Sequence, residues 1–151
     1  LLSNNTEHSD GPDAFSLPSL TARALVILVV WMTETMDLEA CEEAVRSWAS
    51  GMPEVNRLWF YGSRVKGRHS PNSDLDIAIE IASDFSPHIH DPSSFGRATF
   101  INEKTNWVAG LQALIPCEVD IKLYEPTNDC RVRKGVEDAS ILVYEKLEPG
   151  R

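Results

Sequence analysis

The sequence predicts an α/β (α+β) domain in which a small mixed β-sheet is flanked by helices. Two short runs rich in apolar and aromatic residues, 58–61 and 75–81, are typical of strands. Stretches 37–51 and 91–114 carry apolar residues at helical spacing, one before and one after these strands. A third strand pattern at 117–123 follows the second helix, and strands that alternate with helices are typical of this class.

Composition and charge indicate a globular protein of ordinary single-domain size. The chain has 151 residues, of which 42% are hydrophobic and 25% charged, and its net charge is −9. Because a long nucleic acid is bound by clustered Lys and Arg, this acidic balance argues against such a partner. The three cysteines have spacings that fit no metal motif, which predicts reduced thiols and a cytoplasmic location.

Residues 1–36 are expected to form a partly disordered N-terminal extension. Their first 20 residues are rich in Ser, Asn, Asp and Pro and show no periodicity. The apolar run 24–32 is shorter than the roughly 20 residues that a membrane-spanning helix needs, so no membrane association is expected. The domain itself is expected to occupy residues 37–147, with a short tail at 148–151.

The domain begins with a helix that ends near Gly51, and the first strand then leads into a glycine turn. Gly62 permits a sharp change of direction and the close approach of a ligand. The Ser63 hydroxyl and the amides after it can bind a phosphate at the start of the short basic helix or loop that follows. The plainer alternative is an ordinary turn with a serine cap.

The second strand alternates between apolar and acidic residues. Leu75, Ile77 and Ile79 face one side, whereas Asp74 and Asp76 share the other. Two like charges this close disfavour each other unless a cation lies between them, and a hard divalent cation such as Mg²⁺ is the natural partner. Glu80, farther along the same face, is expected to be solvated or to lie at the edge of the metal, and Trp59 and Tyr61 are expected to pack.

The second half of the chain is predicted to contain a loop, a long helix, a strand, a charged helix and a last strand. Loop 83–91 carries His88 and His90, which we interpret as exposed residues rather than metal ligands. The long helix runs from Asp91 towards residue 114, with one apolar stripe for the core. The stripe consists of Phe100, Trp107, Leu111 and Leu114. A charged helix at 129–140 precedes a short strand at 141–144.

The segment GSRVKGRHSPNSDLDIAI resembles the nucleotidyltransferase superfamily of DNA polymerase β type, and within it the minimal nucleotidyltransferases. The matching residues are Gly62-Ser63, Gly67 and Ser73 followed by Asp74-x-Asp76. The resemblance covers about residues 38–146 and implies the nucleotidyltransferase fold. It also implies a third carboxylate from a later strand. Asp120 fits this position, because Val119, Ile121 and Leu123 would then face the core.

The resemblance implies a Mg²⁺-dependent transfer of a nucleoside monophosphate, with AMP from ATP as the expected case, to a hydroxyl of a protein or small molecule. Two Mg²⁺ ions would be held by Asp74, Asp76 and Asp120, which are also the expected catalytic residues. Lys122 would lie on the same face as Asp120. The residues expected to bind the nucleotide phosphates are Gly62, Ser63, Arg64, Lys66 and Ser73.

The resemblance also implies a partner. Minimal members look like halves of toxin–antitoxin pairs whose other half is a helical HEPN protein, so an antitoxin that modifies its toxin is one expectation. Two alternatives stay open: an antitoxin that binds without catalysis, and an enzyme of the aminoglycoside nucleotidyltransferase kind. The nucleotide base, the acceptor and the oligomeric state are not indicated by the residues.

Overall fold

A computed structural model of the protein describes residues 36–82 and 92–147, and within these ranges it has three helices and four strands. In chain order they are α1 (Leu38–Ser50), β1 (Val55–Tyr61), β2 (Leu75–Ile81), α2 (Pro92–Gln112), β3 (Val119–Leu123), α3 (Arg131–Asp138) and β4 (Ser140–Glu145). The predicted N-terminal extension (apart from residue 36), loop 83–91 with its two histidines, and the tail lie outside the described residues. None of the described helices is long and apolar enough to cross a membrane.

The four strands form one mixed sheet in the order β3-β2-β1-β4. β1 is antiparallel to both β2 and β4, whereas β2 and β3 are parallel. Parallel neighbours need a crossover connection, and α2 lies between β2 and β3 in the chain. The predicted class, a small mixed sheet flanked by helices, is confirmed.

Helix α1 begins and ends where the sequence predicts. The Asp37 side chain accepts a hydrogen bond from the Glu39 amide at 3.0 Å and so caps the first turn, and Gly51 follows the last residue. Cys41, Val45 and Ala49 are buried on the face of the helix that packs against the sheet.

The main core lies on one face of the sheet, under α1 and α2. It contains the inward residues of the first three strands, so the alternation predicted for β2 is confirmed. Its largest fully buried side chains are Phe60, Leu58, Leu75, Ile77, Ile79, Leu111, Ile121, Val45 and Val55. Of the three β3 residues expected to face the core, Val119 and Ile121 are buried and Leu123 is partly buried.

The stripe predicted for the long helix is wrong at its last member, Leu114, which is 45% exposed. Helix α2 ends at Gln112, and the chain then tightens, with the Leu114 amide bonded to the Leu111 carbonyl three residues earlier at 3.0 Å. This turn directs Ile115 into the core instead. Trp107 packs edge-on against Trp48 of α1, with 6.4 Å between the ring centroids.

The opposite face of the sheet is partly covered by α3. Trp59 and Tyr61 are buried there, with Val132 and Val136 of α3 packed against them. A Cβ atom at Gly135 would lie 2.8 Å from the Tyr61 ring, so the helix backbone rests directly on that side chain. The two aromatic residues therefore pack, as predicted.

Candidate functional site

Three carboxylates meet on the α3 side of the sheet, at the end where β2 and β3 begin. Asp76 of β2 is paired with Asp120 of β3, and Asp74 lies just before β2. One oxygen from each of the three carboxylates lies within 4.8 Å of the others, and all three residues are half-buried. Because paired residues of adjacent strands project from the same face, the register brings together side chains that are 44 or more residues apart in the sequence.

Tyr61 continues this row of residues on the next strand, where it is paired with Asp76. Burial raises the pKa of the Tyr61 phenol, and the negative charges of Asp76 and Asp120 raise it further. The phenol therefore stays protonated at neutral pH and adds no fourth negative charge to the carboxylates.

Gly62 makes room for one of the carboxylates. It has a positive φ of 81°, a conformation that L side chains rarely adopt. A Cβ atom at this position would overlap an Asp76 carboxylate oxygen and lie 3.0 Å from the carboxylate carbon. Two features of this chain therefore require glycine at position 62: the left-handed turn and the close approach of Asp76.

Lys122 provides a positive charge beside the carboxylates. Its ammonium group donates a hydrogen bond to Asp120 Oδ2 at 2.5 Å and lies 3.9 Å from Asp76 Oδ1. The bond to Asp120 is the main cause of a raised Lys122 pKa, so the side chain stays charged. This single cation offsets part of the repulsion among three anions.

The surroundings of Asp76 disfavour the charged form of its carboxyl group. Burial raises the pKa of Asp76, and the neighbouring Asp74 raises it further, while Lys122 acts in the opposite direction. Because the charged form of Asp76 is disfavoured in this way, a cation that binds beside it stabilises the ionised carboxylate.

The residues after the Gly-Ser motif form turns rather than a helix. The Lys66 amide bonds to the Gly62 carbonyl at 3.2 Å, and the Arg68 amide bonds to the Ser63 carbonyl at 3.0 Å. The sequence left a short helix or a loop open, and the described structure has the second. Ser63 lies half-exposed at the start of these turns, with no helix N-terminus beside it.

Three side chains predicted to bind phosphate have protein partners in the structure. Arg64 is buried and donates to the carbonyls of Ser73 and Pro71. Lys66 forms an ion pair with Asp138 at the end of α3. The Ser73 hydroxyl is 3.1 Å from the Ser70 hydroxyl. Phosphate binding by these three residues stays a prediction.

An ion pair on the same face was missed from the sequence. Glu80, expected to be solvated, is 9% exposed and accepts two hydrogen bonds from Arg57, from Nε at 2.5 Å and from Nη2 at 3.1 Å. The Arg57 guanidinium also lies over the Trp59 ring, 5.4 Å from its centroid. Strand parity places both charged residues on the aspartate face, but their pairing depends on a register that the sequence does not reveal.

The donor set fits a divalent cation. Carboxylate oxygens are hard ligands of the kind that Mg²⁺ prefers, and the Lys122 ammonium already lies within ion-pairing distance of two of the carboxylates. Within residues 36–82 and 92–147, Asp74, Asp76 and Asp120 are the only group of this kind with metal-ligand spacing. The candidate site therefore lies where β1, β2 and β3 meet the glycine turn.

Comparison with known proteins identifies a family for most of the chain. A family described as "Polymerase beta, Nucleotidyltransferase" matches residues 43–149, most of the chain. None of the curated proteins matches the sequence significantly.

Two solved structures are similar to this chain at low sequence identity. One is a crystal structure of a toxin–antitoxin with AMP-PNP, at 15% identity and a TM-score of 0.43, with 70% of this chain and 73% of that chain covered. The other is described as a candidate nucleotidyltransferase from Sulfolobus solfataricus, at 19% identity and a TM-score of 0.39, with 72% of this chain and 80% of that chain covered.

Proposed function

The chain belongs to the polymerase beta nucleotidyltransferase family, as the sequence predicted, and is a nucleotidyltransferase. From this premise we propose that it transfers a nucleoside monophosphate, with AMP from ATP as the first case to test, to a hydroxyl of a protein or small-molecule acceptor. The single observation that carries the proposal is the meeting of Asp74, Asp76 and Asp120 within 4.8 Å beside the Gly62 turn.

The three aspartates are the proposed ligands of Mg²⁺. When bound, the cation would polarise the reacting phosphate and stabilise the charge on the attacking and leaving oxygens. Asp74, just before β2, and Asp76, the second residue of β2, each present an oxygen, and Asp120 adds one from the neighbouring strand. Their roles as ligands and as catalytic residues are proposals that follow from this donor set and from the family.

The nucleotide is proposed to bind with its phosphates at the Gly62-Ser63 turn. The turn directly follows β1, so it lies beside the strand that carries Asp76. Ser63 offers a hydroxyl there. Asp120 is the proposed acceptor of the proton that leaves the attacking hydroxyl. It is half-buried and is paired with Asp76, which in turn is paired with Tyr61, the residue just before the turn. Lys122 would hold Asp120 in place and is a candidate contact for phosphate oxygens.

The resemblance to minimal nucleotidyltransferases makes a helical protein of the HEPN kind the first acceptor to test, and a cytoplasmic location the expected one. In that case the chain would act as an antitoxin. The carboxylate set favours catalysis over binding alone, because a protein that only binds its partner has no need of three carboxylates that repel one another.

The proposal is tested by incubating the protein with ATP labelled at the α-phosphate, Mg²⁺ and candidate acceptors, and by measuring labelled product and released pyrophosphate. We expect label in an acceptor with the wild type and at least about 10²-fold less with Asp76→Asn, which keeps the shape of the side chain but removes its charge. Arg46→Met, which changes a residue of α1, serves as the matched control. Equal labelling by wild type and Asp76→Asn would refute the proposed site.

A further inference from the structure

We propose that Arg64 is a positioning residue that holds Asp74 in place, rather than a ligand of the nucleotide phosphates. The inference rests on the proposed function, because it concerns the same carboxylates. Arg64 is buried, although the sequence predicts that this charged side chain binds the nucleotide phosphates.

The hydrogen bonds that Arg64 makes to the described residues all go to backbone carbonyls. Arg64 is 8% exposed, and its Nε donates to the Ser73 carbonyl at 2.9 Å, with Nη2 bonded to the same carbonyl and 3.4 Å from the Pro71 carbonyl. No carboxylate of the described residues lies within ion-pairing distance of it. A guanidinium with its fork directed at two carbonyls fixes the path of the chain that carries them.

The carbonyls that Arg64 binds belong to the turn just before Asp74. In this turn the Ser73 amide bonds to the Ser70 carbonyl at 3.0 Å, and the Ser70 amide bonds to the Ser73 hydroxyl at 3.0 Å. On the other side of Asp74, the Leu75 amide bonds to the Glu118 carbonyl, at the start of β3, at 2.7 Å. Asp74 itself lies outside the strand, and these hydrogen bonds hold the backbone of its two neighbours.

This arrangement explains how Asp74 reaches the other two carboxylates. Asp76 and Asp120 are fixed by the strand ladder, but Asp74 has no ladder partner. Arg64 supplies the missing constraint and links the Gly-Ser turn to the aspartate motif. Residues that orient metal ligands from behind typically change metal affinity by about 10- to 100-fold when they are removed.

The test compares Arg64→Met and Arg64→Lys with Arg46→Met. Arg46 is the matched control, because its Nε also donates to a backbone carbonyl, that of Val143 at 3.0 Å, on the edge strand β4. Three quantities are measured on each protein: the Kd for Mn²⁺ as a probe cation, the Kd for ATP without a divalent cation, and the hydrogen exchange of the amides of residues 70–76, of which Pro71 has none.

We expect Arg64→Met to weaken Mn²⁺ binding by about 10- to 100-fold and to speed exchange at Ser73 and Leu75, with the cation-free ATP Kd unchanged. Arg64→Lys, which keeps the charge but loses the fork, should fall between Arg64→Met and the wild type. Arg46→Met should leave the Mn²⁺ Kd and the exchange of 70–76 unchanged, whatever its effect on Tm.

Two results would overturn the inference. A lower Tm with unchanged Mn²⁺ affinity and unchanged exchange would make Arg64 a purely structural residue. A weaker cation-free ATP affinity with unchanged Mn²⁺ affinity would restore the phosphate contact. If Arg64→Met does not fold, the test rests on Arg64→Lys. A Mn²⁺ Kd and an amide exchange equal to those of the wild type in Arg64→Lys would then refute the inference. If the wild type binds no Mn²⁺, the proposed function fails separately, and the exchange data alone decide the position of Asp74.

Discussion

Gly62 and Gly67 form a natural pair for testing how closely the glycine turn fits the carboxylates. Both have positive φ, 81° and 65°, so alanine at either position meets the same backbone penalty of about 1–2 kcal/mol. Their surroundings differ. A Cβ at Gly62 would overlap the Asp76 carboxylate, whereas a Cβ at Gly67 has nothing within 4 Å.

The difference between the two substitutions therefore isolates the contact with Asp76. To regain an ordinary separation of about 3.5 Å, the Asp76 carboxylate must move by about 1 Å. Metal coordination tolerates only about 0.2 Å, so the ligand is lost. We expect Gly62→Ala to lower the free energy of unfolding more than Gly67→Ala, because it adds the displacement of Asp76 to the shared backbone penalty.

Only Gly62→Ala should weaken Mn²⁺ binding, by about 10- to 100-fold. The assay is titration with Mn²⁺ followed by calorimetry, together with urea unfolding of each variant. Equal Mn²⁺ affinities for the two alanine variants would refute the reasoning, because the turn would then not touch the cation site. A loss of affinity in both would show that turn conformation, not the contact, matters.

Three further predictions follow from the charges. Burial and the charge of Asp74 raise the pKa of Asp76, so the folded protein binds a proton at Asp76 more tightly than the unfolded chain does. The protonated Asp76 therefore contributes to stability at low pH, and this contribution is lost as the pH rises through the raised pKa. Asp76→Asn should therefore stabilise the metal-free protein at pH 7 but not below the ordinary aspartate pKa, as urea unfolding across pH measures. Lys122→Met should lower Tm at pH 7, and Mg²⁺ should raise Tm more in this variant than in the wild type, because the cation replaces the lost ammonium; an equal rise would contradict this. Arg57→Met should lower the free energy of unfolding by about 2 kcal/mol, because it leaves Glu80 unpaired. The double variant Arg57→Met/Glu80→Met should regain part of this stability, and the Mn²⁺ affinity should be unchanged in both variants.

The outline of the fold and the carboxylate cluster could be predicted because they depend on local patterns. Alternation along β2 assigns Asp74 and Asp76 to one face without any knowledge of the neighbouring strands. The family pattern and the same alternation in β3 predict Asp120 as the third carboxylate. In both strands the burial of the apolar partners fixes which face is polar.

Side-chain partners could not be predicted in the same way. Arg64 is predicted to contact phosphate because basic residues gather around the glycine turn, but the sequence does not reveal that its guanidinium is buried against the carbonyls of Ser73 and Pro71. Glu80 likewise depends on the register of β1 against β2, which pairs it with Arg57. Helical spacing predicts Leu114 in the core, but α2 ends two residues earlier.

Calorimetric titration with ATP, with and without Mg²⁺, tests the central claim most directly, because it needs no acceptor. The account predicts that the wild type binds ATP in the presence of Mg²⁺, and that binding is much weaker without Mg²⁺ and in Asp74→Ala/Asp76→Ala. Arg57→Met provides the control for a variant altered on the same face of the sheet. Mg²⁺-independent binding, equal binding by the double variant, or no binding of any nucleoside triphosphate by the folded wild type would contradict the claim that the three carboxylates form a nucleotidyl-transfer site.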